Sequence, residues 1–263
     1  MSADQDVSNQ IREKVDQLKS KVSTCPSLSA VLSQLDDDFF IKYLKGKEMN
    51  VDEAFKLIQG YFKMRSSHPE LFLLPSKVQD VFNDGIFTFH KEKNPIGGET
   101  VVIFRPGKWD VSKYDAWHLS AAPIPFLELA ALDSHVLDHG MIEVLNFADV
   151  TWKQFWNMPA SLHSVIADLT ERALPVGYKK VHVVNEGKLV DMLWTIMKPF
   201  VSPEMKARIQ FHGKNHSELY KDIDRSLLPP ELGGTGPEKV PPSPEFVEES
   251  DQKVQHLWNK YSS

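Results

Sequence analysis

The stretch Lys179-Lys180-Val181-His182-Val183-Val184-Asn185-Glu186-Gly187-Lys188-Leu189-Val190-Asp191-Met192-Leu193-Trp194-Thr195-Ile196-Met197-Lys198-Pro199-Phe200 decides the fold. Its first part is a β-branched run, predicted as a strand over 180–184. Val181 and Val183 share one face there and His182 takes the other, because successive strand side chains point to opposite sides. After Asn185 the period changes. Leu189, Val190, Met192, Leu193, Ile196, Met197 and Phe200 recur at helical spacing and make a wide apolar stripe, with Asp191, Thr195 and Lys198 on the other side. Pro199 must end or bend this helix.

Towards the N-terminus the same alternation continues. A helix is predicted over 159–172, a strand over 143–148 and a helical stretch over 125–137. Two aromatic and β-branched runs at 86–90 and 101–104 flank Asn94-Pro95-Ile96-Gly97-Gly98, a turn whose glycines permit positive φ. Strands alternating with helices predict an α/β domain with a mixed, mostly parallel sheet flanked by helices, because a helical crossover returns the chain in the same direction. Further upstream, Asn50 and Glu53 have the spacing of a capping box. Ala54, Phe55, Leu57, Ile58, Tyr61 and Phe62 follow at helical spacing, and Asp36-Asp37-Asp38 precedes Phe39, Phe40, Tyr43 and Leu44. These predict a small all-α N-terminal module. Downstream, Ser202-Pro203-Glu204 starts a second short helix through Lys206 and Arg208. Pro229-Pro230 and Gly233-Gly234-Thr235-Gly236-Pro237 predict an irregular wrap, with a last amphipathic turn over 254–261. The expected division is 1–75 for the helical module, 76–240 for the main domain and 241–263 for the tail.

Composition bounds the function. The chain has 263 residues, of which 41% are hydrophobic and 25% charged, the balance of a folded protein. A net charge of −6 argues against a generally basic nucleic-acid binder, so no nucleic-acid partner is expected. The single cysteine, Cys25, excludes an intramolecular disulfide or a multi-cysteine zinc site. Residues 1–20 lack the apolar core of a signal peptide, and no uncharged apolar run approaches the roughly 18 residues that span a bilayer. A cytoplasmic monomer is expected. No Gly-x-Ser-x-Gly elbow, His-Glu-x-x-His helix or dinucleotide fingerprint occurs, so neither an enzyme nor a cofactor is expected. His135 and His139 stand four apart, a spacing that can offer two imidazoles to one metal, but no third ligand follows at motif spacing and no metal site is expected. His182 and His212 are expected as hydrogen-bonded structural residues, and Glu128 as paired or solvated rather than catalytic.

Several of these stretches together resemble the CRAL-TRIO lipid-transfer family, and within it the tocopherol-transfer members. Leu174-Pro175, the run from Lys179 to Glu186, Met197-Lys198-Pro199-Phe200, Arg208-Ile209, His212-Gly213 and Leu228-Pro229-Pro230-Glu231-Leu232-Gly233-Gly234 stand in family order and spacing. The resemblance covers about residues 37–234. It implies a CRAL-TRIO fold with a buried lipid cavity, closed by the helix after Gly187 acting as a lid. The cavity wall it implies comprises Leu129, Leu132 and Val136; Ile166, Leu169 and Leu174; Val181 and Val183; and Leu189, Met192, Leu193 and Ile196. By the same resemblance Lys47, Lys179 and Arg208, with Lys206 and Lys180 nearby, match a cluster that meets phosphoinositide head groups. Gly177 and Glu204 stand where lysines are usual.

The function so implied is uptake of a hydrophobic small molecule (a tocopherol, retinoid, carotenoid or similar isoprenoid) and its transfer between membranes. Anionic surfaces and phosphoinositides would assist release. The alternatives are a phosphatidylinositol or phosphatidylcholine carrier of the same fold, and a membrane-recruited scaffold.

Overall fold

The computed structural model describes residues 3–260. Three helices open the chain, α1 (Ala3–Ser23), α2 (Asp37–Gly46) and α3 (Val51–Ser67). The Asp36 carboxylate accepts from the Phe39 amide at 2.9 Å and caps α2, and Asn50 Oδ1 accepts from the Asp52 and Glu53 amides at 3.1 Å and caps α3. Each such cap contributes about 1 kcal/mol. Glu53 does not close the expected box, because its carboxylate pairs with Lys56 at 2.7 Å. The apolar faces of the three helices meet through Val15, Leu18, Phe40, Leu44, Leu57 and Ile58, all buried in one core that continues into the rest of the protein. Two glycines set how closely this module approaches. A Cβ on Gly60 would stand 1.7 Å from the carbonyl oxygen of Arg172, and one on Gly46 would stand 2.3 Å from that of Pro175.

The remaining elements alternate between strand and helix. They are α4 (Pro75–Asn83), β1 (Phe87–Lys93), β2 (Thr100–Phe104), α5 (Ala116–Ala121), α6 (Ile124–Ala130), α7 (Ser134–His139), β3 (Met141–Asn146), α8 (Trp152–Asn157), α9 (Ala160–Arg172), β4 (Tyr178–Val184), α10 (Lys188–Met197), α11 (Pro203–Arg208), β5 (Ile209–Phe211), α12 (Leu219–Asp222) and α13 (Pro244–Lys260). One sheet runs in the order β1-β2-β3-β4-β5, with β1 antiparallel to β2 and the other pairs parallel.

Several elements differ from the sequence reading, which has no counterpart for α4, α5, α8 or α12. The single helix expected over 125–137 is two, because the chain turns at Leu132 and restarts α7 under the Asp133 cap, which accepts from the His135 amide at 2.9 Å. β5 was not predicted; it is a three-residue edge strand directly behind α11. The final amphipathic turn is a 17-residue helix, α13, packed on α4 and α6.

Alternation divides the sheet into two faces. On one, Val101, Ile103, Ile142, Val144 and Val184 are buried under Leu219, Ile223, Leu227, Leu228 and Leu232 of the irregular wrap. Arg105 fastens that wrap. Its guanidinium pairs with Glu231 at 2.8 Å and donates to Thr88 Oγ1 at 3.0 Å and to the Glu238 carbonyl at 3.2 Å. The opposite face looks towards α6 and α9.

Candidate functional site

On that opposite face the register builds two rungs. Phe89, Val102, Glu143, Val181 and Ile209 lie side by side across the sheet, and Phe104, Leu145, Val183 and Phe211 form the next rung. β3 is the central strand, where a layered fold normally removes all accessible surface. Yet Glu143 and Leu145 are only half-buried, as are Phe104 and Ile209 beside them. The helices above leave room. Leu129 on α6, Ile166 on α9 and Leu189 and Leu193 on α10 are likewise half-buried, and together these residues mark a candidate apolar cleft. α10 packs on α8 and α9, and Trp194 meets Phe211 of β5 edge-on at 5.5 Å. α10 thus sits beside α8 and α9 with its Trp194 against the edge strand.

The outer side of the same region is unusually apolar. Met192 is 44% exposed, with Ile196 and Phe200 nearly as open, and Phe211 lies beyond them. On neighbouring α8, Trp152 and Trp156 stack at 6.0 Å, and Trp156 is 73% exposed. α8 forms because Thr151 and Gln154 make the complete capping box that Asn50 and Glu53 do not. Its aromatic face was missed in the sequence, although the signal was present. Trp152, Phe155 and Trp156 recur within one turn and have no apolar partners at the next turn to mark a core helix.

Other predicted wall residues fall elsewhere. Leu132, 48% exposed, projects from the turn between α6 and α7. Val136 and Leu169 are buried in the close-packed core, on helices that pack against α2 and α3 respectively. Val181 and Val183 lie on the cleft face, both buried. Leu174 lines a different recess.

That recess, about 860 Å³, opens between the N-terminal module and the sheet edge. It gathers Lys47, Lys179 and Arg208 with Lys14 and Lys45, so the sequence-predicted cations do converge; Lys206 lies outside its lining. Acids converge too. Arg208 pairs with Glu204 at 2.5 Å and Lys45 with Asp138 at 2.7 Å, while Lys179 is exposed with no ion pair among the described residues. Lys180 turns to the other side of the strand and pairs with Asp222. His182 also belongs to the filled face. It is buried, its Nδ1 lies 2.9 Å from His212 Nε2, and burial followed by the His212 charge lowers its pKa to about 4.

His135 donates to the Gly98 carbonyl at 2.7 Å and stacks on His139. Among the described residues no group of three His, Cys, Asp or Glu is placed to hold a metal. Glu128 is structural, accepting from the Tyr61 hydroxyl at 2.6 Å and the Trp258 indole at 2.9 Å. Burial pushes its carboxyl above the usual range. Glu143 was passed over in the sequence, although its place between Met141 and Leu145 put an acid on an apolar face. It has no polar partner among the described residues, and burial raises its pKa to about 7.

Residues 83–234 match the CRAL/TRIO domain, more than half of the chain. The chain belongs to the CRAL/TRIO family. Among its CRAL/TRIO relatives, the human "Alpha-tocopherol transfer protein-like" (Homo sapiens) is 29% identical over 215 residues, which is 81% of this chain and 62% of the relative. Clavesin-2 of Homo sapiens is 24% identical over 86% of this chain and 70% of its own length, and clavesin-1 of Xenopus laevis is 25% identical over 86% and 69%. The chain thus spans about 62% of the length of the tocopherol-transfer-like relatives. The crystal structure of Sfh5 superposes with a TM-score of 0.60 at 12% identity, covering 95% of this chain and 97% of the other; this likeness is one of fold. Among the described residues no helix of this CRAL/TRIO protein is long and apolar enough to cross a membrane.

Proposed function

We propose that this protein carries one hydrophobic small molecule, a tocopherol, retinoid, carotenoid or similar isoprenoid, in the cleft beneath α10 and moves it between membranes. The supporting observation is the accessible surface left at Leu145 and Glu143 in the middle of a covered sheet. The name of the tocopherol-transfer-like relatives agrees with a ligand of this kind.

The physical task is a barrier. At about 0.8 kcal/mol per buried CH₂, roughly sixteen carbons oppose escape into water by on the order of 13 kcal/mol. A carrier that opens against a membrane avoids that exposure. Trp152, Trp156, Met192, Ile196, Phe200 and Phe211 form the docking face, with the tryptophans suited to the headgroup level. α10 is then a lid whose outer side meets lipid as its inner side releases the guest. Unpaired Lys179 draws the recess towards anionic head groups, phosphoinositides among them, while Glu204 and Asp138 weaken that pull. A head group speeds release only if it binds the open state better than the closed one. The chain works as a non-enzymatic carrier, in the cytoplasm, as a monomer with transient membrane contact.

Organic extraction of the purified protein, followed by transfer between labelled liposomes, tests the reading. Co-purified isoprenoid and liposome transfer that Met192→Asp slows at least tenfold are expected. Recovery of phosphatidylinositol or phosphatidylcholine would select a phospholipid carrier instead, and no lipid with no transfer would select a scaffold.

A further inference from the structure

Glu143 is the one acid among the strand residues of the cleft face, flanked across the sheet by Val102 and Val181 and along its strand by Met141 and Leu145. It makes no hydrogen bond or ion pair among the described residues and keeps part of its surface free. The other deeply placed carboxylate, Glu128, shows what a structural acid here requires, since two donors from two helices hold it. Nothing comparable meets Glu143. A carboxyl that keeps free surface on an apolar floor, with no donor from the chain beside it, is open to a partner that the chain itself does not supply.

We propose that Glu143 is the polar anchor of the cleft, so that the guest is an apolar molecule bearing one hydroxyl, hydrogen-bonded to the Glu143 carboxyl while its hydrocarbon lies under α10. This deepens the carrier reading and rests on it. The kind of polar group follows from the site. Burial alone shifts Glu143 to about 7, so near neutral pH much of it is the protonated acid, with one donor and one acceptor. A hydroxyl is complementary to both. An amine would bring a cation onto a floor of valine, leucine and phenylalanine and lose its hydration there. A fatty acid would bring a second carboxyl whose ionisation Glu143 opposes. Tyr178, on the same face beside Met141, is pushed well above its ordinary value by burial and then by the charge of Glu143.

The test compares phytol with phytyl methyl ether, each delivered from neutral vesicles to the full chain and to Glu143→Gln and Glu143→Leu, with thermal unfolding confirming that each variant folds. The ether keeps the hydrocarbon and removes the donor. The wild type is expected to retain the alcohol about tenfold more tightly than the ether, the worth of one hydrogen bond. Glu143→Gln should keep part of that preference, and Glu143→Leu should bind both probes without it. Equal retention of alcohol and ether by the wild type, or an unchanged preference in Glu143→Leu, would overturn the anchor and leave the carrier standing. Retention of neither probe by any form would overturn the carrier reading and the anchor with it.

Discussion

The two faces of the sheet are built from the same strands and nearly the same residue types, yet one is buried throughout while the other keeps accessible surface at some of its residues. Val101, Ile103, Ile142 and Val144 lie within a few per cent of complete burial, while Phe104, Leu145 and Glu143, alternating with them, keep accessible surface. The difference lies in the cover. An irregular segment drapes over the first face and conforms to it residue by residue, with Leu219 to Leu232 dropping into place and Arg105 fixing the strap. Helices cover the second, and rigid rods resting on a twisted sheet leave gaps unless large side chains fill them. On the proposed carrier reading one face of each kind is needed, since the filled face supplies the stability that the open face forgoes.

The largest expected effect breaks the filled face at its strap. Arg105→Ala strands Glu231 and leaves the Thr88 and Glu238 acceptors without their donor, and should lower stability by about 3–5 kcal/mol in urea unfolding. An effect under 1 kcal/mol would mean that the wrap holds by apolar contacts alone.

The next prediction belongs to the open face and concerns pH. The native carboxyl of Glu143 titrates near 7 against 4.5 for the free group, so between those values the folded chain holds a proton that the unfolded chain has lost. Stability contributed at this site therefore falls as pH rises from about 4.5 to 7 and is level above. The total is on the order of 3 kcal/mol. The difference in stability between wild type and Glu143→Gln, followed by unfolding at several pH values, should show that slope. A difference independent of pH would place the carboxyl in water.

A paired truncation sharpens the contrast directly. Ile103→Ala on the filled face should cost about 3 kcal/mol, whereas Leu145→Ala should cost about 1 kcal/mol, because part of the Leu145 surface is already free. Equal losses would mean that both faces are packed alike. The smallest expected effect is Trp156→Ala. Removal of a ring that is 73% exposed should leave the melting temperature within a degree or two while weakening vesicle binding several-fold.

Four of the five strands and the α/β order were legible because alternation and helical spacing are local signals, each contained within a few residues. β5 was not, since three residues at a sheet edge behind a helix carry too little pattern to register. Lys47, Lys179 and Arg208 were legible only through resemblance; the pairing of Arg208 with Glu204 and of Lys45 with Asp138 depends on where α11 and α7 fall. Val136, Leu169 and Leu174 show the same limit from the other side. A core leucine and a cavity leucine have identical periodicity, so spacing found their buried face but not what they are buried against.

By itself the sequence determined the alternation of the central strands, where α2, α3 and α11 begin, and that Met192 and Ile196 share a stripe. Those properties follow from backbone geometry and from side-chain transfer between water and an apolar phase, both of which act within a few residues. The tertiary structure alone decided which inward face is buried throughout, that Glu143 stands between Val102 and Val181 without a polar partner among the described residues, and that α8 and α10 pack together with exposed apolar side chains on both. Packing and free volume are properties of segments far apart in the chain, and they exist only once those segments have met.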